Sequence, residues 1–404
     1  MSPQRRIPAP WILSLPVLTY GMIFGFAVVT MPQMLAAGGV PSGHIAVAVA
    51  IVTSPAFWVF LVGPILDVRF RRRTYAIVFG ILAAGAAGFT IFYHSNLAVV
   101  EAVMLAGILF AGLYNFAIGG WTGALIQKDQ DSRLGAWNTV FNFGGGGAGI
   151  LLNGYLTQHL TPAHAAVIAF AAFVAPLVVF PLIPAPPPDK TLASESFTRF
   201  AREVASLFNR REVLVALPLF TFPSASFALT NALAGWGKAF HASPAFVSTS
   251  TGIGSVFCSI VGCALVPFLA RKIPLRPLYL AIGCVGAAFT LSLLLLPRAP
   301  WTFVLAFSGE TGLQAAAVAT AIAVIYEIIG PDNPLASTIF GLLFSAVSFP
   351  IDYMEFVDGH GYDWGGVTGA LLTDALISIV ACAFLAIVLR KWLFAPRKKV
   401  VEHV

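Results

Sequence analysis

The chain has 404 residues, 58% of them hydrophobic and 10% charged, with a mean hydropathy of +0.87 and a formal net charge of +6. Too little polar material is present to cover a water-soluble surface of this size, which excludes a soluble enzyme or binding domain. The basic excess does not indicate nucleic acid, because the lysines and arginines are spread among the connections rather than gathered on one face with aromatic partners.

A bilayer core about 30 Å thick is crossed by roughly 20 apolar residues in a helix. Apolar segments of that kind, separated by charged or Pro/Gly-rich breaks, predict helices near 11–38, 44–66, 74–93, 97–127, 133–156 and 163–183. A second set follows near 213–239, 244–269, 276–296, 300–328, 334–356 and 364–391. Runs such as Trp11 to Ala37 and Glu101 to Ile126 are almost continuously apolar. Outer-membrane barrel strands would instead alternate over about ten residues. Arg5 and Arg6 precede the first run as in a signal peptide, but the run exceeds a typical h-region and reads as an uncleaved first helix. The four cysteines, Cys258, Cys263, Cys284 and Cys382, lie within apolar segments without metal-ligand spacing and read as small packing residues.

Basic residues near helix ends stay on the cytoplasmic side. With the amino terminus inside, all of the 23 lysines and arginines except Lys238 and Arg298 fall on that side. The expected protein is therefore a multi-pass protein of a cytoplasmic (inner) membrane with both termini in the cytoplasm. Its domains are expected at 1–183, an amino-terminal six-helix half, and 213–393, a carboxyl-terminal six-helix half. A cytoplasmic linker, 184–212, joins them, and a cytoplasmic tail follows at 394–404. The linker opens with Pro184, Pro186, Pro187 and Pro188; its later part, Phe197 to Phe208, reads either as a surface-lying amphipathic helix or as a solvated connection. At an offset of 203 residues Pro64 meets Pro267, Leu66 meets Leu269, Arg73 meets Arg276 and Gly80 meets Gly283, so the halves read as internal repeats.

The first inner connection runs Gly63-Pro-Ile-Leu-Asp67-Val-Arg-Phe-Arg71-Arg72-Arg73. It resembles the loop signature of the major facilitator superfamily, in which a glycine is followed four residues on by an acid and then by a basic pair. Gly63, Asp67, Arg71 and Arg72 occupy those positions; Val68 and Phe70 depart from the pattern. The resemblance implies an all-α integral membrane fold of twelve transmembrane helices in two pseudo-symmetric six-helix halves. It also implies that Asp67 and the arginines clamp neighbouring helices at the cytoplasmic face in one state and release them in another. Within the superfamily, Gly25-Phe26, the Met34 to Gly39 turn, the Pro-Ile-Leu-Asp run with its arginines, and Gly359-His360-Gly361-Tyr362 resemble the AmpG-type permeases and their acetyl-CoA transporter relatives. That likeness implies uptake of solutes such as muropeptides or siderophores by proton symport. Where acids are expected on the fourth helix, Ala117-Ile-Gly-Gly-Trp-Thr-Gly-Ala stands instead.

Charge inside a bilayer costs a few kcal/mol or more, so intramembrane acids are functional candidates. Glu310 and Asp374 fall about ten residues into the tenth and twelfth helices, and Asp352 and Glu355 lie three apart on one face of the eleventh. A carboxyl group in a low-dielectric cavity favours its neutral form and can carry a proton. These four are the proton-coupling candidates, with neutral packing carboxyls as the alternative. Glu101 and Glu327 read as helix-end residues. Amides and aromatics on apolar helices supply the substrate-cavity candidates Tyr20, Gln33, Asn115, Trp121, Asn138, Asn142, Asn231, Trp236 and Gln314, each with interhelical hydrogen bonding as its alternative. Gly144 to Gly147 with Gly149 predict close helix contact and a site of bending in the fifth helix.

No filter sequence of a channel and no phosphate-binding Gly-x-x-x-x-Gly-Lys-Ser/Thr loop of an ATP-driven pump is present. Six of the seven histidines, His360 among them, fall in predicted outer loops and form no helical metal pair. The expectation is a monomeric, non-enzymatic secondary transporter with no cofactor and no metal, whose partners are a small solute, protons and the bilayer. Proton-coupled uptake of a muropeptide-like, peptide-sugar or siderophore-like cargo is the first reading, and proton-driven export of drugs or metabolites the alternative. The lack of a buried basic residue favours neutral or zwitterionic cargo.

Overall fold

The computed structural model describes residues 7–67, 70–126, 130–184, 205, 207, 210–331 and 333–394. Among the described residues all regular structure is helical. Twelve segments are numbered in chain order: α1 (10–37), α2 (42–67), α3 (Arg72–Phe92), α4 (Leu97–Leu125), α5 (Asp131–His159), α6 (Pro162–Leu182), α7 (211–240), α8 (Pro244–Leu269), α9 (Leu275–Leu295), α10 (Pro300–Ile329), α11 (336–364) and α12 (367–388). They form two six-helix halves. The predicted linker, its amphipathic helix and both chain ends lie largely outside the described residues.

The bundle is apolar outside as well as inside. Leu151, Val178, Leu295 and Ile387 are each more than 70% exposed, and such side chains cover the perimeter where a soluble protein would carry charge. With lipid as apolar as leucine, the hydrophobic effect does not drive helices together, and close backbone approach takes its place. Between α1 and α5 the approach is near main-chain contact: a Cβ added at Gly149 would lie 2.6 Å from the Met22 carbonyl oxygen, and one at Gly145 2.6 Å from that of Leu18. The glycine run of α5 thus packs a neighbour, as its composition predicted. Gly144 faces open space.

Three helices are irregular. In α1 a π-turn spans Phe26–Thr30. α7, expected as one helix over 213–239, is broken: Arg211–Thr221 ends at Phe222, a non-helical stretch follows to Ala228, and only Leu229–Leu233 and a 3-10 turn complete the segment. Pro218 and Pro223 remove main-chain donors there, and Phe227 has φ of 51°, so the sequence carried the break that its hydropathy concealed. The bared groups find partners: Ser378 donates to the Pro223 carbonyl at 3.0 Å, and the Gln314 amide donates to the Phe227 carbonyl at 3.4 Å.

α11 extends beyond its expected end at 356 to 364, so that Asp358, Gly359, His360 and Tyr362 are helical rather than part of an outer loop. His360 Nδ1 lies 2.9 Å from the Phe356 carbonyl oxygen one turn earlier. The turn into α12 is made at Gly365 and Gly366, the latter at φ 61°, ψ −151°, a conformation essentially reserved for glycine.

Candidate functional site

The two halves meet at the end of the bundle that carries Arg72 and Arg276. Asp67, at the end of α2, sits against the amino terminus of α11, where the first helical N–H groups lack intrahelical partners. One of its carboxylate oxygens accepts from the Thr338 N–H and hydroxyl, both at 2.7 Å; the other accepts from the Ser337 N–H at 3.2 Å. Arg72 donates to that second oxygen through Nε at 2.9 Å, and its Nη2 reaches the carbonyls of Asn333 and Pro334 at 3.0 and 2.7 Å. An acid of one half thus caps a helix of the other, and an arginine closes the same joint from its carbonyl side. Of the predicted quartet, Arg71 is exposed, and a Cβ at Gly63 would make only ordinary contact at 3.6 Å with Phe116.

Behind this joint lies an aromatic layer shared by both halves. Phe340 stacks on Tyr326 and Phe344 with centroids 5.8 and 5.6 Å apart, Phe116 of α4 meets both phenylalanines edge-on, and Tyr20 of α1 meets Phe344 at 6.4 Å. Glycines admit this approach. A Cβ at Gly120 would run into the Ser337 backbone, and one at Gly119 into the Phe340 ring.

Beyond Phe344 the next turns of α11 carry acids. Asp352 and Glu355 are partly exposed, and the Asn231 side chain of α7 hydrogen-bonds Glu355. Asp358, one further step along the same helix, is fully buried and was not among the residues singled out by sequence. It interacts electrostatically with Asp374 of α12, Glu310 of α10 and Glu355. Glu310 and Asp374 are themselves neighbours, and Thr290 of α9 donates its hydroxyl to Glu310. Among the described residues no lysine, arginine or histidine pairs with any of these five acids; the ion pairs observed are Arg72–Asp67 and Arg276–Glu327, each 2.8 Å. Glu327, read as a helix-end residue, therefore anchors α9 to α10. Arg276 also stacks on Trp392 at 4.2 Å.

The cavity candidates divide. Trp121 is a tether, its Nε1 donating to the Pro184 carbonyl at 2.9 Å. Asn138 bonds the Tyr326 hydroxyl across the halves at 3.0 Å. Gln314 is held by the Thr230 hydroxyl and by the Phe227 carbonyl in the break of α7, and Trp236 stacks on Tyr362 at 4.7 Å. Gln33 is exposed near the end of α1, and Asn142 is half-buried. Asn115, 1% exposed, has neither amide atom partnered.

A twelve-helix bundle with an apolar perimeter and its two halves joined at one end is the architecture of a multi-pass membrane protein. Residues 13–351 match the family described as Major Facilitator Superfamily, and the chain belongs to that family. A search of curated proteins finds no match. Among solved structures, the proton:xylose symporter XylE bound to 6-bromo-6-deoxy-D-glucose is similar at a TM-score of 0.72 and 14% identity, with 96% of each chain covered. The human organic anion transporter MFSD10 (TETRAN) gives 0.69 and 16%, covering 95% of this chain and all of that one. The transporter FucP in the outward conformation gives 0.68 and 15%, covering 94% and 99%. At these identities the likeness is one of fold.

Proposed function

We propose that this protein is a proton-coupled secondary transporter that takes up a small organic solute by alternating access. The carrying observation is the set of buried acids in the second half, Glu310, Asp358 and Asp374, with no cation paired to them among the described residues. An isolated carboxylate is costly at such a place, and neutralisation by a proton removes that cost. Burial of this kind makes proton binding a condition of the closed structure.

The arginine-rich end is assigned to the cytoplasm on the positive-inside rule. Both termini then lie inside, in an inner membrane. On that assignment the conformation is closed to the cytoplasm by Asp67, Arg72 and the aromatic layer, while the partly exposed Asp352 and Glu355 lie toward the outer side. The AmpG-type resemblance supports cargo of the muropeptide, peptide-sugar or siderophore kind, and the lack of a cation paired with the interior acids among the described residues supports neutral or zwitterionic solutes. Such a carrier would work as a monomer.

The test is reconstitution in liposomes with an inward proton gradient, following internal pH while cell-wall fragments, siderophores and common drugs are presented. Proton entry driven by one of these, and abolished in Glu310→Gln or Asp374→Asn, is the expected result. A drug expelled against its gradient without cargo-driven proton entry would replace uptake by export.

A further inference from the structure

The five acids are not a random scatter. Asp352, Glu355 and Asp358 follow one another at three-residue intervals on α11, and each step of three in a helix turns the side chain by about 60° from the last. The series therefore winds from the partly exposed Asp352 and Glu355 to the fully buried Asp358, which is within electrostatic reach of Glu310 of α10 and Asp374 of α12. Each acid lies within electrostatic reach of the next: Asp352 of Glu355, Glu355 of Asp358, and Asp358 of both members of the buried pair.

Asp358 is the odd member. Glu310 accepts from the Thr290 hydroxyl and Glu355 from the Asn231 side chain, so each has a donor that fixes it in place. Neither oxygen of Asp358 has a partner although the residue is 0% exposed, and Glu310 Oε2 and Asp374 Oδ1 are likewise unpartnered. The groups facing it are acids: Glu310 from α10, Asp374 from α12 and Glu355 from its own helix, while α9 presents the Thr290 hydroxyl to Glu310 and α7 the Asn231 amide to Glu355. Arg298, the cation nearest in sequence to α10, donates through Nη2 to Thr368 and lies over the Phe240 ring; its Nη1 is buried without a partner, and it forms no ion pair with these acids among the described residues. No trio of these acids is gathered tightly enough to hold a metal ion among the described residues. Unpartnered oxygens with carboxyls on either side are suited to receiving and passing on a proton.

We infer that Asp358 is a proton relay between the partly exposed pair Asp352 and Glu355 and the buried pair Glu310 and Asp374. In each hop the protonated donor gives its O–H proton to the ionised neighbour and becomes the carboxylate itself, so charge moves one place and no other reactant is consumed. The inference rests on the proton-carrier reading of the buried pair.

The experiment follows the infrared C=O stretch of protonated carboxyl groups in the reconstituted full chain at neutral pH on transfer to D2O. Wild type should show the band, and Glu310→Gln should lose part of it. In Asp358→Asn, a near-isosteric neutral change with no bond to break, the remaining band should persist but exchange on the order of 10²-fold more slowly. Asp358→Glu should restore the rate. Unchanged exchange in Asp358→Asn overturns the relay and leaves the proton-carrier reading standing. Absence of the band from wild type overturns the carrier reading and the relay with it.

Discussion

Asn138 of α5 and Tyr326 of α10 are joined across the two halves by a buried hydrogen bond of 3.0 Å from the amide to the phenol oxygen, which Thr122 of α4 approaches at 3.5 Å. Three helices from two halves thus converge on one hydroxyl. Tyr326→Phe keeps the ring in its stack with Phe340 and removes only that hydroxyl. The expected cost to the closed state is about 1 kcal/mol, close to a fivefold rise in the population open at the arginine-rich end. Spin-label distances between probes at the exposed Thr74 and Pro331 would measure it.

The Asp67 joint should matter more. Asp67→Ala leaves Arg72 without its carboxylate and the Ser337 and Thr338 N–H groups uncapped. Breaking a buried charge pair from one side costs about 3–5 kcal/mol. The same probe pair should therefore report a mainly open arginine-rich end. Arg72→Lys should reproduce much of the effect, because a single ammonium cannot serve Asp67 and two carbonyls in the geometry of the guanidinium fork. A closed distance distribution in Asp67→Ala would refute the clamp.

Glycine substitutions separate packing from composition. Gly149→Ala places a Cβ 2.6 Å from the Met22 carbonyl oxygen and should lower the melting temperature through a loss of about 1–3 kcal/mol. Gly144→Ala, five residues earlier on the same helix, meets nothing within 4 Å and should leave it unchanged or slightly higher. Equal shifts for the two would show that the α1–α5 contact does not hold the half together.

Thr290→Val tests the polar support of Glu310. The hydroxyl is the hydrogen-bond donor observed on that carboxyl. Its removal should slow cargo-driven proton entry severalfold while downhill cargo exchange, which needs no net proton movement, continues. Loss of both activities together would point to misfolding of α9 instead.

Most of the architecture was readable from residue type because lipid imposes one rule on every span: satisfy the main chain locally. That rule placed the spans; the resemblance of the Gly63 to Arg73 loop to the superfamily signature pointed to Asp67 and the arginines as a clamp on neighbouring helices, and the structure shows Asp67 and Arg72 reaching across to the start of α11 in the other half. The same rule also explains what was missed. The stretch from Val357 to Trp364 contains Gly359, His360, Gly361, Tyr362 and Asp363 and looked like a loop, yet α11 runs through it and carries Asp358 inward. The break in α7 was hidden for the opposite reason: Thr221 to Ala228 is apolar enough to pass for helix, and only Pro218 and Pro223 signalled otherwise. Trp121 and Asn138 looked like cavity residues because an amide or indole on an apolar helix has the same sequence signature whether it faces solute or a neighbouring backbone. Only their partners, the Pro184 carbonyl and the Tyr326 phenol, decide.

In the proposed transport cycle the ring layer formed by Tyr20, Phe116, Tyr326, Phe340 and Phe344 has a second role, as insulation. A transporter that stands open on one side must hold the full membrane voltage across whatever remains closed, and an apolar constriction does so by refusing a continuous thread of water. On that reading the clamp fixes the position of the two halves, and the rings, unlike a wettable salt bridge, exclude water from the path. Phe344→Ser should therefore make liposomes conduct protons without any cargo, seen as collapse of an imposed pH difference, even where the Asp67 joint stays shut.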